Sequence, residues 1–140
     1  MTASARDLPP LILSRFDFER LERLLARVSG SSPNVELLQQ ELDRAEVVDA
    51  KDVPPDVVTM NSKVRVVDEA TGEESELQLV FPAAADAERG AVSVLAPVGS
   101  ALLGLRVGAA IEWPLPEGRA RRIRVVAVTY QPESAGDLHL

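Results

Sequence analysis

Apolar residues recur at three- and four-residue steps near the start of the chain and alternate with polar ones from Val47 onward. The first spacing is that of one face of a helix, the second that of a strand. Between positions 14 and 46 the pattern predicts two helices. Phe18, Leu21, Leu24, Leu25 and Val28 fall on one side of the first, with Arg20, Arg23 and Arg27 on the other. Ser14 followed by Asp17 resembles a capping box that opens this helix, an acid standing where Glu or Gln is usual. The run Ser29-Gly30-Ser31-Ser32-Pro33 then closes one helix and opens the next. Gly30 suits a left-handed cap, Ser32 an N-cap and Pro33 the first helical position. Leu38, Leu42 and Ala45, with Val35 above them, give the second helix a matching stripe. Two such stripes joined by a short turn predict a short antiparallel hairpin of the coiled-coil kind. Its arms project only roughly 20 Å, at about 1.5 Å of rise per residue.

Pro54-Pro55 mark the change of pattern, because the residue before a proline is pushed out of the helical region. Val64 to Val67 reads as a strand, Asp68 to Gly72 as a turn and Glu76 to Phe81 as the returning strand of a β-hairpin. Ala91 to Leu95 is a short strand and Pro97 to Leu105 a short helix. Ile111 to Leu115 and Ile123 to Tyr130 are further strands, turned through Pro116, Glu117 and Gly118. The expected architecture is α+β: a helical hairpin over residues 1–46, then an antiparallel sheet domain with one helix over 47–140.

Charge narrows the partners. The formal net charge is −7 and the pI about 4.7, whereas duplex DNA is held by Lys and Arg set against phosphates. The acids concentrate in the middle: residues 33–60 carry seven acids against two bases and 61–90 seven against three, while 1–32 and 91–140 each carry four against five. That distribution fits docking onto a protein and argues against sequence-specific DNA binding. Cysteine is absent, which excludes disulfides, thiolate nucleophiles and sulfur-ligated metals and agrees with a reducing compartment. No apolar run reaches the roughly 18 residues a membrane span requires, and Met1 to Pro10 lacks a signal-like apolar stretch. The reading is cytoplasmic, without a membrane partner.

Catalytic parts are wanting. The lone histidine, His139, stands beside the C-terminus, where a rigid triad or metal site is hard to build. Asp68-Glu69 and Glu73-Glu74-Glu76 flank a turn and read as solvated acids. Gly99, Gly104 and Gly108 lack the Lys-Ser/Thr pair of a phosphate loop. Arg119, Arg121, Arg122 and Arg124 alternate sides of a strand with no aromatic between them, so they read as the protective charges of an edge strand. Phe16, Phe18, Phe81, Trp113 and Tyr130 read as packing residues. No enzyme, cofactor or metal site is expected.

Four stretches carry a family resemblance: Val57-Val58-Thr59-Met60-Asn61-Ser62-Lys63-Val64, Leu79-Val80-Phe81-Pro82, Ser93 to Gly108 (SVLAPVGSALLGLRVG) and Tyr130-Gln131-Pro132-Glu133. They resemble the C-terminal domain of the Gre transcript-cleavage factors, and more closely their Rnk relatives, which Glu41-Leu42-Asp43-Arg44-Ala45 also fits. The resemblance implies an FKBP-like domain that docks on a coiled coil of the largest RNA polymerase subunit, at the rim of the secondary channel, while the hairpin enters. The docking loop falls on Leu95, Ala96, Pro97 and Val98; where Gre proteins have Ser-Pro, this chain has Ala96-Pro97. The loop runs into a helix start, whose backbone N–H groups could meet a partner's carboxylates. Gre proteins present acids at the hairpin tip to help hold a catalytic magnesium ion. Here the tip, Ser29, Gly30, Ser31, Ser32 and Pro33, has none, the nearest being Glu36. The resemblance therefore implies an elongation regulator that opposes Gre factors at the channel entrance without stimulating cleavage. The alternative is an interaction protein governing nucleoside diphosphate kinase, directly or through its expression. An FKBP-like fold does not by itself confer prolyl isomerase activity, and the few rings available make a poor isomerase pocket.

Overall fold

The computed structural model describes residues 11–28, 33–114 and 120–137. The first strand, β1 (Ile12–Ser14), runs into helix α1 (Arg15–Arg27); α2 (Pro33–Asp43) follows and leads into β2 (Glu46–Val48). β1 and β2 pair in parallel, Leu13 opposite Val47. That pairing brings the entry to α1 beside the exit from α2, so the second helix retraces the first. The two short strands were not legible as alternation, since three residues are too few to show a period. Ser14 caps α1 as expected, its Oγ accepting from the Asp17 N–H at 3.1 Å. The capping box is not completed, because the Asp17 carboxylate turns away to other partners.

The helical stripes are buried as their spacing predicts: Leu21 and Leu25 on α1, Leu38 and Leu42 on α2. Arg20 departs from the expectation, lying partly buried instead of facing water.

The remaining strands are β3 (Lys63–Asp68), β4 (Glu74–Val80), β5 (Ala91–Ser93), β6 (Ala110–Pro114) and β7 (Ala120–Tyr130). They form one sheet in the order β5-β4-β3-β7-β6. β3 is antiparallel to both β4 and β7, with register shifts against β7 after Lys63 and Arg65. β5 runs parallel to β4, which corrects the all-antiparallel expectation. The crossover from β4 contains two short 3-10 turns, 82–84 and 87–89, and ends at Gly90 in the left-handed region. Helix α3 (Pro97–Leu102) is shorter than its apolar pattern suggested. Gly104, at φ 82°, turns the chain so that its N–H reaches the Val58 carbonyl. A last helical turn, α4 (Pro132–Ala135), follows β7.

The arginine run lies on β7, an inner strand flanked by β3 and β6, and not on an edge. Its arginines are engaged: Arg121 with Asp68 at 3.2 Å, Arg122 with Glu69 at 3.0 Å and Arg124 with Glu69 at 2.5 Å. Asp68 is buried and hydrogen-bonds the Ala70 N–H, so it closes the β3–β4 turn and is not a solvated acid. Arg119 and His139 lie outside the described residues.

One apolar core runs through the molecule. Leu13, Leu21, Leu25, Leu38 and Leu42 from the N-terminal elements join Val58, Met60, Val64, Val66, Leu79, Leu102 and Val125 in a single cluster.

Candidate functional site

The docking loop expected from the sequence sits between β5 and α3. Leu95 and Ala96 are partly exposed, and Leu95 also leans on the core. Pro97 occupies the first position of α3, and only its backbone is described. Val98 is 6% exposed and belongs to the core, so its side chain anchors the loop and offers no contact surface as the molecule stands. The loop is held from within: Ser93 Oγ accepts from the Leu95 N–H at 3.1 Å, and the Ala96 carbonyl accepts from both the N–H and the hydroxyl of Ser100. Ala96 has no side-chain oxygen with which to cap the helix. α3 lies against α2, which ties the loop to the helical pair. Of the hairpin tip, Ser29, Gly30, Ser31 and Ser32 lie outside the described residues, and Pro33 opens α2.

A second polar cluster stands where α1 meets the sheet. Asp17 is 1% exposed. Its Oδ1 accepts from Arg20 Nη2 at 2.6 Å, and its Oδ2 accepts from the Met60 N–H at 3.2 Å. The Arg20 guanidinium lies 4.2 Å from the centre of the Phe16 ring and 4.7 Å from that of Phe81. Such stacking favours a cation partly stripped of water. Burial pushes the Asp17 carboxyl up to about 6; the hydrogen bond and charge of Arg20 and the Met60 N–H oppose this, and the negative charge of Glu133 adds to it. Glu133, on α4, accepts from Thr59 Oγ1 at 2.6 Å, and Thr59 shares a 2.9 Å hydroxyl contact with Ser62. Beside them Gln131 Nε2 donates to the carbonyls of Pro54 and Val57, each at 2.8 Å. A cleft of about 290 Å³ opens over the cluster, with Arg15, Phe16, Glu19, Asp49, Glu133 and Asp137 on its walls.

This cluster explains two of the sequence blocks. Thr59-Met60-Asn61-Ser62 and Gln131-Pro132-Glu133 are partners of each other, and together they receive α1. Sequence reasoning missed Asp17 and Arg20 as part of it. The signal present was the acid at the capping-box position, which serves another element. Phe16, expected to pack, is 42% exposed with Arg20 against its face. Tyr130 is tied to Asp137 at 2.5 Å, which pushes its hydroxyl up to about 12. Among the described residues no group of three or more His, Asp or Glu is placed to hold a metal ion. No described helix is long and apolar enough to cross a membrane.

Comparison with known proteins agrees with this geometry. A family model described as the C-terminal region of transcription elongation factor GreA/GreB matches residues 53–130, and one for the Rnk N-terminus matches residues 9–48. The protein named "Regulator of nucleoside diphosphate kinase" from Escherichia coli K12 is 44% identical over 130 residues, covering 92% of this chain and 96% of its own. Transcription elongation factor GreA of Azorhizobium caulinodans is 38% identical over 93 residues, 66% of this chain and 59% of that protein. Among solved structures, a prokaryotic transcription elongation factor GreA/GreB from Nitrosomonas europaea superposes with a TM-score of 0.80 at 51% identity, covering 88% of this chain and 100% of that one.

Proposed function

The chain belongs to the GreA/GreB family, in its Rnk branch, and from that premise we propose that it is a non-catalytic regulator of transcription elongation. In this reading it works in the cytoplasm, binds RNA polymerase at the secondary channel entrance and opposes Gre factors by occupancy. The observation that carries the reading is the shape of the hairpin. α1 has 13 residues and α2 has 11, so the prong reaches only roughly 20 Å. Its end, Ser29 to Pro33, contains no carboxylate. Such a prong can fill an opening but brings no metal-binding oxygen to chemistry deeper inside. In the same proposal Leu95, Ala96 and Pro97 form the contact with the coiled coil of the largest subunit, and Val98 fixes the loop from beneath.

The test is competition on core polymerase. Purified protein should displace a Gre factor and should not speed 3′ RNA cleavage in arrested complexes. Pro97→Glu should weaken binding several-fold while the fold persists, because a proline at the first helical position contributes no hydrogen bond to lose. Binding without competition removes the occupancy model, and faster cleavage removes the non-catalytic one. The printed name of the Escherichia coli relative supports a second reading, control of nucleoside diphosphate kinase. Capture of that kinase by the purified chain in the absence of polymerase would favour it.

A further inference from the structure

The geometry points to a clamp at Asp17 and Arg20 that holds the helical prong in one fixed orientation on the sheet, so that the free protein is a rigid unit and not two parts on a hinge. This inference concerns the free molecule and does not depend on the polymerase reading.

Asp17 and Arg20 lie on the same helix, three residues apart, and their ion pair alone would join nothing. The joining contacts run outward from the pair. Asp17 Oδ2 takes the Met60 N–H from the loop that enters β3, 43 positions along the chain. The Arg20 guanidinium rests on the ring of Phe81, at the end of β4. Glu133 comes in from α4, fixed by Thr59. Asp17 and Glu133 thus come from different elements, near enough for the charge of Glu133 to act on the Asp17 carboxyl, and both line one cleft with Arg20. The Arg20 Nε is buried without a hydrogen-bond partner among the described residues. A guanidinium that gives up a donor in this way is held by its planar stacking and its charge. The linker beneath is pinned as well: Gln131 ties down Pro54 and Val57, and the Glu46 N–H bonds the Leu11 carbonyl at 2.7 Å.

Removing Arg20 takes away the guanidinium seated on the Phe81 ring and the hydrogen bond that holds the Asp17 carboxyl in place beside the Met60 N–H, so the polar ties of α1 to the sheet loosen. Leu21 and Leu25 stay in the shared core, so the expected result is a wider spread of orientations about that contact and not unfolding.

The chain has no cysteine, so spin labels go only where they are placed. Glu36→Cys on α2 and Thr71→Cys on the β3–β4 turn are exposed sites on the two parts. Pulsed dipolar distances between them should form one narrow distribution in the otherwise unaltered protein. With Arg20→Ala the distribution should at least double in width or acquire a second population, with helix content unchanged by circular dichroism. A broad or two-peaked distribution before any change at Arg20 overturns the clamp, since the joint is then a hinge already. An unchanged narrow distribution in Arg20→Ala also overturns it, because the apolar core then fixes the orientation unaided. Should Arg20→Ala not fold, Phe81→Leu, which removes the ring that seats the guanidinium, is read by the same criterion.

Discussion

Asp17 is a carboxylate that the fold takes out of water and then meets with a second carboxylate, Glu133. Its ordinary value is 3.8, and in the folded protein it rises to about 6. A carboxyl whose folded value is raised is easier to ionise in the unfolded chain. The folded state is therefore favoured at low pH and loses that advantage as pH climbs from about 4 to beyond 6, with no further loss above. A rise of about two units corresponds to about 3 kcal/mol in full, of which about 1 kcal/mol falls between about pH 5 and about pH 7.5. Asp17→Asn cannot ionise and escapes this loss, though it also weakens the pair with Arg20. The expected outcome is a stability gap between the two proteins, measured by urea unfolding, that shifts toward the Asn variant by about 1 kcal/mol over that range. A gap independent of pH would mean that Arg20 and the Met60 N–H fully offset the burial.

At the scale of elements, legibility followed length and locality. The stripes Leu21–Leu25 and Leu38–Leu42 announced α1 and α2 because four-residue steps on one helix are read without knowing the rest of the fold. Alternation from Lys63 likewise announced β3, and Asp68 to Gly72 its turn. β1 and β2 escaped because each is three residues long. The parallel placing of β5 escaped because it depends on a crossover through 3-10 turns. The cluster around Asp17 was hidden for the same physical reason: residues 17, 60, 81 and 133 meet only after α1 has docked. Gly99 is a case where an element's placing does leave a mark in sequence. A Cβ at this position would stand 1.8 Å from the Ser93 carbonyl oxygen, so α3 can rest on the end of β5 only with glycine there. Gly99→Ala must push the helix off the strand, because the obstacle is backbone and cannot rotate away. We expect a loss of about 3 kcal/mol, at the upper end for added core volume. A melting temperature equal to that of the parent protein would show that α3 has room to shift.

For the molecule as a whole, the sequence divides at the Pro54-Pro55 boundary but the core does not. Leu13, Leu21, Leu25, Leu38 and Leu42 share one apolar cluster with the sheet residues, and α3 rests against α2. Burying a leucine is worth about 1.5–3 kcal/mol, so losing this wall forfeits on the order of 10 kcal/mol, comparable to the whole stability of an ordinary domain. It would also bare Val58, Met60 and Leu102, each fully buried in the intact chain. The segment 47–140 expressed alone is therefore expected to lack a cooperative urea transition and to give poorly dispersed amide spectra. A well-dispersed spectrum with a sharp transition would show that the sheet closes its own core and that the helices are an attachment. The distinction governs how the prong can be studied. If the core is shared, deleting residues 1–46 removes the fold along with the prong, and loss of polymerase binding would then say nothing about the prong. Point changes confined to Ser29, Ser31 and Ser32 and to Leu95, Ala96 and Pro97 separate the two contributions, because none of those positions belongs to the leucine wall.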